Sequence, residues 1–282
     1  MTADSDQNDD LTSPDPDAIG YQRHWAPVLA PSVGALLDRH AALIEAGARE
    51  VLDIGAGTGN LALTVLRRWP RVRVVAIDAA ATMLDVLRGS AEAQGDAADR
   101  LTTTVALAAG LPFDDGRFDL ALSSFVFQLV PDRPAALRET HRVLRPGGTL
   151  GYVTWLADER PFAPDRVFEA LLSESGFDEP EEEARPGDLA SPGEAARELR
   201  EAGFDDVAVE AVTLRHAFSI DSYIAFLVEF DEASTFDEFS RAERRRFLIR
   251  LREGLMALSP GAFEFVAPIV FATGRRPASG GG

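Results

Sequence analysis

Short apolar runs alternate with amphipathic stretches between residues 49 and 155. Five runs of apolar and β-branched residues have the length of buried strands: EVLDI, VRVVAI, LTTTVAL, FDLALSS and TLGYVTW. Three stretches with helical spacing of apolar residues lie among them: NLALTVLRRW, ATMLDVLRGS and RPAALRETHRVL. This alternation is typical of βαβ units, in which helices cover a parallel sheet. The pattern predicts an α/β fold, with RPGG after Leu144 as the turn before the strand at 149–155.

The pattern is less regular beyond this region. An acidic, proline-containing segment, residues 178–188, is predicted to be a loop, and Ser191 and Pro192 have the chemistry of a helix start. Pro268 predicts an edge position or a bulge in the last strand. The other predicted elements are a helical segment at 21–46, interrupted by its prolines, a strand at 207–214, a helical stretch at 219–258 and the last strand at 263–276.

Length and composition limit the domain organisation. A chain of 282 residues with 46% hydrophobic residues can bury one sizeable core, and we expect one domain with elaborations. The first nineteen residues contain six aspartates and no base, which predicts a disordered acidic tail. Residues 276–282 are predicted to be a flexible end. The domain is expected to span 20–275, with a core at 46–155 and substrate-cap elements at 20–45, 156–190 and 218–262.

Charge and residue usage exclude several classes of function. The net charge of −18 argues against nucleic acid as a partner, because phosphate neutralisation depends on clustered basic residues. The absence of cysteine excludes disulfides, thiolate metal sites and covalent thiol catalysis. The sequence has no signal peptide and no apolar run of 18 residues, so we expect a cytoplasmic protein with no membrane partner.

A glycine-rich segment, VLDIGAGTGN at 51–60, follows the first predicted strand. A simple strand-to-helix turn is one interpretation, because short glycine motifs recur by accident. A dinucleotide site prefers G-x-G-x-x-G, but here the third glycine is Gly59 and Asn60 stands in the preferred position. Asp78 ends the next predicted strand, where its carboxylate can accept hydrogen bonds from a ribose diol. A nucleoside without phosphates needs mainly room beside such a turn.

Four blocks in order carry a family resemblance: VLDIGAGTG, VVAIDAAATML, ALAAGLPFDDGRFDLALSS and ETHRVLRPGGTLGYVTW. With these blocks the chain resembles a class I S-adenosylmethionine-dependent methyltransferase of the small-molecule, type 11 or UbiE-like group. The resemblance is close over 49–155 and looser up to residue 273. It implies a Rossmann-like seven-stranded sheet, mostly parallel with the last strand antiparallel, helices on both faces and S-adenosylmethionine as cofactor.

The resemblance also implies the cofactor-binding residues. Asp53 would face the ammonium group of the methionine part, Asp78 would bind the ribose hydroxyls, and Met83 would pack on adenine. Tyr21 would close over the methionine end. The full set is Tyr21, Asp53, Gly55, Ala56, Gly57, Asp78, Ala79, Met83, Ala108 and Ser123.

One position departs from the family pattern. Where the family commonly has a GDA triplet whose acid accepts from the adenine amino group, this chain has Ala106, Leu107 and Ala108. Leu107 cannot accept that bond, although the amide of Ala108 can still reach the adenine ring. We expect somewhat lower affinity or a slightly altered placement of adenine.

The acceptor pocket is expected over the carboxyl ends of the strands. By position its walls are Phe125, Gln128, Trp155, Phe162, Tyr223 and Phe226. Helical spacing of the aromatic residues after 219 is more typical of a lid helix packing on the domain, although one or two of them can also contact an apolar acceptor.

The residues after the fourth predicted strand narrow the type of methyl transfer. An Asn/Asp-Pro-Pro-Tyr motif for amino-group methylation is replaced by Ser-Ser-Phe-Val at 123–126, and these serines are poor ligands for a catalytic Mg²⁺. We expect metal-independent transfer to oxygen, nitrogen or carbon of a small organic molecule, promoted by in-line positioning. His24 and His216 are candidate general bases, while His40 and His141, within helical runs, are expected to be structural.

Two other functions stay open from the sequence. One is an S-adenosylmethionine-binding regulatory or scaffold protein without catalysis, and the other, less favoured, is a dinucleotide-binding oxidoreductase. The expected partner is a small-molecule substrate, and the protein is expected to be a monomer or a homodimer.

Overall fold

A computed structural model of the chain describes residues 15–158, 160–176 and 187–278. The described residues form one seven-stranded sheet. Its strands are β1 (Glu50–Ile54), β2 (Arg73–Asp78), β3 (Leu101–Val105), β4 (Phe118–Ser124), β5 (Leu144–Trp155), β6 (Asp205–Ala217) and β7 (Glu264–Arg275). The spatial order is β3-β2-β1-β4-β5-β7-β6, with β1 to β5 parallel and β7 antiparallel to both its neighbours. The predicted fold class is confirmed.

Helices surround this sheet. They are α1 (Pro16–Gly20), α2 (Ala26–Glu45), α3 (Asn60–Arg68), α4 (Ala81–Glu92), α5 (Arg133–Val143), α6 (Ala163–Glu174), α7 (Pro192–Glu201), α8 (Ile220–Phe226), α9 (Ala233–Glu238) and α10 (Arg241–Met256). Two π-helical turns, Tyr21–Trp25 and Leu227–Asp231, follow α1 and α8. Within the described ranges, no helix is both long and apolar enough to span a bilayer.

The sheet separates two apolar layers. On β1, Val51 belongs to the layer that contains residues of α2, α3 and α4, and Leu52 belongs to the layer that contains residues of α5 and α7. Both side chains are fully buried, as expected for a central strand of a parallel sheet covered on two faces. The cap helices α8 and α10 extend the first layer, so they lie on the same side of the sheet as α2.

The two ends are more ordered than the sequence predicts. The last four residues of the predicted disordered tail, 16–19, belong to α1, because the side chain of Asp15 accepts from the Asp17 amide and Ala18 is fully buried. At the other end Arg276 is not part of a flexible tail, since its guanidinium donates to the carbonyl of Leu144 at 2.6 Å. Residues 1–14 and 279–282 lie outside the described residues.

The middle of the chain also differs in detail from the prediction. The RPGG segment lies inside β5, which begins at Leu144 and shifts its register against β4 between Phe118 and Leu120. The helical stretch at 219–258 is divided, and Ser240 starts α10 with a capping box completed by Glu243. Ser191 caps α7 as predicted. Most of the acidic segment 178–188 lies outside the described residues.

The expectation that Pro268 marks an edge or a bulge is wrong. β7 lies between β5 and β6, and its register with β6 is regular through the pair Thr213 and Pro268. The carbonyl of Pro268 accepts from the amide of Leu156, just beyond the last residue of β5. In an antiparallel ladder, the amide and the carbonyl of one residue point towards the same neighbouring strand. Pro268 has no amide hydrogen to donate, and the side to which it would donate is the one where β5 has already ended.

Candidate active site

The glycine loop after β1 requires glycine for both backbone and spatial reasons. Gly55, Gly57 and Gly59 have φ of +69°, +53° and +97°. A Cβ on Gly55 would lie 2.3 Å from Val126, and one on Gly59 would lie 2.2 Å from Leu87. The loop therefore passes directly against the end of β4 and against α4, in conformations that side chains rarely adopt.

Asp78, the last residue of β2, holds this loop from the neighbouring strand. Its Oδ2 accepts from the amide of Gly57 at 2.8 Å, and its Oδ1 accepts from the amide of Ala80 at 2.9 Å. A carboxylate offers about four acceptor positions, so two such bonds leave capacity for hydroxyl donors of a ligand. The ribose role that the sequence suggests for Asp78 is compatible with this geometry.

Asp53 on β1 is a buried carboxyl group with an unsatisfied oxygen. It is 1% exposed, and its Oδ2 has no hydrogen-bond partner among the described residues. Burial raises the pKa of Asp53 to about 8, against the opposing effect of the Ala62 amide and with a further contribution from Asp78. Buried polar atoms are nearly always satisfied, so this oxygen calls for a donor, and a cationic one would also favour the ionised carboxylate.

Tyr21 covers the same place from the first π-helical turn. Its ring lies 3.7 Å from the point that a Cβ on Gly57 would occupy. Burial, with the nearby charges of Asp78 and Asp53, raises its pKa to about 12, so the hydroxyl stays neutral at physiological pH. Tyr21, Asp53, Gly57 and Asp78, far apart in the sequence, are thus brought together at the carboxyl ends of β1 and β2.

The remaining sequence-predicted cofactor residues lie around this centre in different environments. Ala79 is exposed beside Asp78, and Met83 is half-buried in the first turn of α4. Ala108 is buried after β3, whereas Leu107 beside it is 68% exposed. Ser123 is fully buried and its hydroxyl donates to the carbonyl of Ile54, so it joins β4 to β1, a position that does not favour direct contact with a ligand.

The cap forms through a junction between the N-terminal turn and the turn after α8. A Cβ on Gly20 would lie 2.2 Å from the carbonyl oxygen of Glu229, so the two backbones are in close contact. The Glu229 carboxylate accepts from Arg23 at 2.8 Å and is bonded to Nε2 of His24 at 2.8 Å. These bonds, to His24 first and then to Arg23, hold the pKa of Glu229 below its usual value.

A continuous set of ring contacts, here called the aromatic network, lies between the cap and the strand ends. Phe125, in the left-handed region at φ +56°, places its ring 4.4 Å from that of Trp155. Trp25 contacts both Trp155 and Phe226. The members are Tyr21, Trp25, Phe125, Trp155, Phe162, Phe218, Tyr223, Phe226, Phe230 and Phe265. All five aromatic residues suggested as pocket walls therefore belong to one network.

Gln128, the sixth suggested wall residue, connects the segment after β4 to the end of β5. Its amide donates to the carbonyl of Phe125 at 2.7 Å and its Oε1 accepts from the Thr154 hydroxyl at 2.6 Å. A positive φ is uncommon for a bulky residue such as phenylalanine, and it persists only where surrounding contacts hold it. Gln128 supplies one of these contacts at Phe125.

The four histidines differ in environment. His40 is buried, with Nδ1 bonded to the Leu36 carbonyl, and its ring fills the space above Gly151. His141, which lies on α5, packs against the ring of Phe204, and burial lowers the pKa of His141. His24 is paired with Glu229, as described above. His216 lies near the end of β6 beside the Phe218 ring of the aromatic network, and burial lowers its pKa as well.

Sequence reasoning missed three residues that shape the site: Val126, Asp165 and Glu229. Asp165 accepts from the hydroxyl of the fully buried Tyr223 at 2.6 Å and so joins α6 to α8. Glu229 meets His24 across 205 residues of sequence. No local motif indicates pairs at such separations, because they depend on how the cap packs. Only Val126, two residues beyond β4, could have been found from its place opposite the glycine loop.

Comparison with known proteins agrees with the family resemblance that the sequence motifs indicate for the core. A sequence model described as a methyltransferase domain matches residues 51–148. Demethylmenaquinone methyltransferase of Thermus thermophilus is 43% identical over 107 residues, covering 38% of this chain and 47% of the relative. Malonyl-[acyl-carrier protein] O-methyltransferase of Halorhodospira halophila is 33% identical over 171 residues, covering 60% and 53%. The chain thus spans about half the length of the curated relatives it matches.

Among solved structures, the [4+2]-cyclase SpnF superposes with a TM-score of 0.56 at 20% identity, covering 89% of this chain and 82% of SpnF. At this identity the likeness concerns the fold alone, and it extends over the cap as well as the core. The matched domain contains the glycine loop and the aspartates at the ends of β1 and β2, so the site geometry and the sequence match indicate the same function. These similarities indicate a class I S-adenosylmethionine-dependent methyltransferase domain at residues 51–148 of this chain.

Proposed function

We propose that this protein binds S-adenosylmethionine and transfers its methyl group to a small organic acceptor. The observation that carries the proposal is Asp53, a carboxyl group 1% exposed with one oxygen unsatisfied, directly before the glycine loop. The ammonium group of the methionine part would provide the missing donor and the compensating charge. The residues present therefore fit this cofactor.

The remaining contacts would come from the residues around Asp53. The loop at Gly55–Gly57 would pass beneath the methionine part, Asp78 would accept from the ribose hydroxyls, and Tyr21 would exclude water from above. When bound, S-adenosylmethionine supplies an activated methyl group on a sulfonium centre. Because the positive charge disperses during transfer, an apolar surrounding suits the reaction, and the protein would contribute mainly by orienting the acceptor.

The aromatic network supports an apolar or aromatic acceptor. Trp155 and Phe226 are each 7% exposed and Phe125 is 6% exposed, so these neighbouring rings form an almost fully buried apolar surface. The relatives are named for chemically different acceptors, a demethylmenaquinone and a malonyl group on a carrier protein. We therefore propose the class of small organic acceptor, methylated on oxygen, nitrogen or carbon without a metal, by a cytoplasmic monomer or homodimer.

We propose that only some acceptors require a general base from the protein. His24 has a carboxylate partner in Glu229, which can orient the imidazole ring. His216, near the Phe218 ring, has no such partner among the bonds of the described residues. An acceptor that is itself acidic would need neither. Comparing His24→Ala and His216→Ala with the parent over pH 6–9 would separate these cases.

A second candidate is cofactor binding without transfer. It is favoured by the aromatic rings in mutual contact beneath the cap, with Tyr223 fully buried, because such packing leaves an acceptor only the space gained when the cap shifts. It shares the Asp53 and Asp78 contacts with the first proposal, so binding alone does not distinguish the two.

Transfer of a radiolabelled methyl group distinguishes them. The purified chain would be incubated with methyl-labelled S-adenosylmethionine and separate pools of quinols, phenols, amines and carboxylic acids. Label in an organic product, lost in Asp53→Asn, is the expected result. Binding of the cofactor with no labelled product from any pool would favour the second candidate, and no binding at all would contradict both.

A further inference from the structure

We infer that the base end of the nucleoside cleft is an apolar shelf, formed by Val105 and Leu107, that offers no carboxylate or amide side chain to the exocyclic amine of adenine. The inference rests on the proposed function, because it concerns the far end of the same cofactor site. Its consequence is a relaxed cofactor specificity: nucleosides alkylated on that amine bind about as well as the adenosine form.

The strand order fixes where the base lies. Asp53 on β1 is suited to the ammonium group, and Asp78 at the end of β2 is suited to the ribose diol. β3 lies on the far side of β2 from β1, with Val105 paired in register with Asp78. The methionine chain and the base are attached to opposite sides of the ribose, so a ligand held at both carboxylates extends its base over the end of β3.

Val105 and Leu107 are unusually open at this point. They are 55% and 68% exposed, although large apolar side chains elsewhere on the strands are mostly buried. Two exposed apolar side chains beside a ligand cleft gain hydrophobic contact when a flat heteroaromatic ring covers them. Their position suits the face and outer edge of a purine.

The shelf is held in place by neighbouring elements. The amide of Ala106 donates to the backbone carbonyl of Asp78 at 2.9 Å. The amide of Leu111 donates to Glu139 at 2.9 Å, and the Arg142 guanidinium donates to the Leu111 carbonyl at 2.9 Å. These bonds to β2 and α5 keep the segment around Leu107 next to the ribose site.

No carboxylate or amide side chain is available along this segment. Residues 101–113 contain threonine as their only polar side chains, and the hydroxyl of Thr103 already accepts from Arg88 at 2.9 Å. A site that pairs with a ligand N–H rejects an analogue without it, because a buried acceptor is left unsatisfied. Without such an acceptor the amine stays hydrated at the exposed shelf, and its alkylation costs little.

The test compares two ligands by calorimetry: S-adenosylhomocysteine and its N6,N6-dimethyl derivative, which retains the ring nitrogens and lacks every N–H on the exocyclic nitrogen. For the parent chain we expect Kd values within about threefold of each other. In Leu107→Asp the new carboxylate can pair only with the unmodified amine, so the dimethyl derivative should bind roughly tenfold or more weakly than S-adenosylhomocysteine.

Met256→Asp is the matched control, since Met256 is also 68% exposed and lies at the end of α10. It adds the same charge elsewhere and should leave the ratio of the two Kd values as in the parent. Rejection of the dimethyl derivative by the parent, or an unchanged ratio in Leu107→Asp, would overturn the inference. Failure of the parent to bind S-adenosylhomocysteine itself would instead overturn the proposed function on which it rests.

Discussion

Two carboxyl groups at neighbouring strand ends have opposite surroundings. Asp78 accepts two backbone amides and is partly open, whereas Asp53 is 1% exposed with an unsatisfied oxygen. Burial destabilises the charged form of Asp53 and raises its pKa to about 8. The difference makes Asp53 the group whose protonation should respond to a cationic ligand.

Cofactor binding should release a proton from Asp53. At pH 7 the free protein holds this carboxyl group protonated, because its pKa is about 8. A bound ammonium favours the carboxylate, so affinity for S-adenosylhomocysteine should rise with pH from 6 to 8. Calorimetry at pH 7 in buffers of different ionisation enthalpy should report release of about one proton per site. Asp53→Asn should bind more weakly and release none, and equal proton release in both proteins would contradict the assignment.

The raised pKa of Asp53 also predicts how the stability of the folded protein depends on pH. Between the unfolded pKa of about 3.9 and the folded value, the folded state binds the extra proton, so the contribution of Asp53 to stability falls as pH rises through this window. Asparagine does not titrate, so Asp53→Asn does not lose this contribution to stability as pH rises. Thermal unfolding without ligand should therefore show the variant gaining Tm relative to the parent from pH 5 to pH 8, and a constant difference would be inconsistent with a buried, titrating Asp53.

At the scale of elements, the cap depends on close contact between two turns. Gly20 has helical φ and ψ of −57° and −50°, so alanine is acceptable to its backbone, but a Cβ there would meet the Glu229 carbonyl at 2.2 Å. Gly20→Ala should therefore separate the N-terminal turn from the turn after α8. We expect faster amide hydrogen exchange in residues 21–25 and 227–231 and weaker binding of S-adenosylhomocysteine.

Gly34→Ala is the control for this change. Gly34 lies within α2 with no atom within 4 Å of an added Cβ. The substitution should stabilise the protein by about 0.5–1 kcal/mol through helix propensity, with exchange in the cap unchanged. If both variants leave cap exchange and ligand affinity as in the parent, the close contact at Gly20 does not hold the cap.

The sequence predicts features that depend on neighbouring residues better than contacts between segments that are far apart in the chain. The strands β1 to β4 and the helices between them follow from period and turn chemistry within about ten residues. The glycine loop and Asp78 are also set by local sequence, so their positions at the ends of β1 and β2 could be predicted. The pairing of His24 with Glu229, and of Tyr223 with Asp165, depends on the packing of separate helices, and no pattern in either segment indicates its partner.

At the scale of the whole molecule, the site joins the matched core domain to a cap that lies outside the matched residues. The matched domain at 51–148 supplies the two carboxylates and the glycine loop. The N-terminal turn and the helical segments after β6 supply five of the ten members of the aromatic network, and the sequence indicates only the helical spacing of these segments. The acceptor therefore could not be predicted, because the proposed walls of its pocket come from segments on both sides of the core.

The most direct test of the central claim is calorimetric titration of the purified chain with S-adenosylhomocysteine, compared between two aspartate variants. Asp78→Ala removes the predicted ribose contact. Asp119→Ala is its control, because Asp119 also accepts backbone amides, those of Arg49 and Glu50, but at the amino ends of β1 and β4. We predict one site per chain, a loss of at least roughly tenfold in affinity for Asp78→Ala and parent-like affinity for Asp119→Ala. No binding by the parent, or equal binding by Asp78→Ala, would contradict the account.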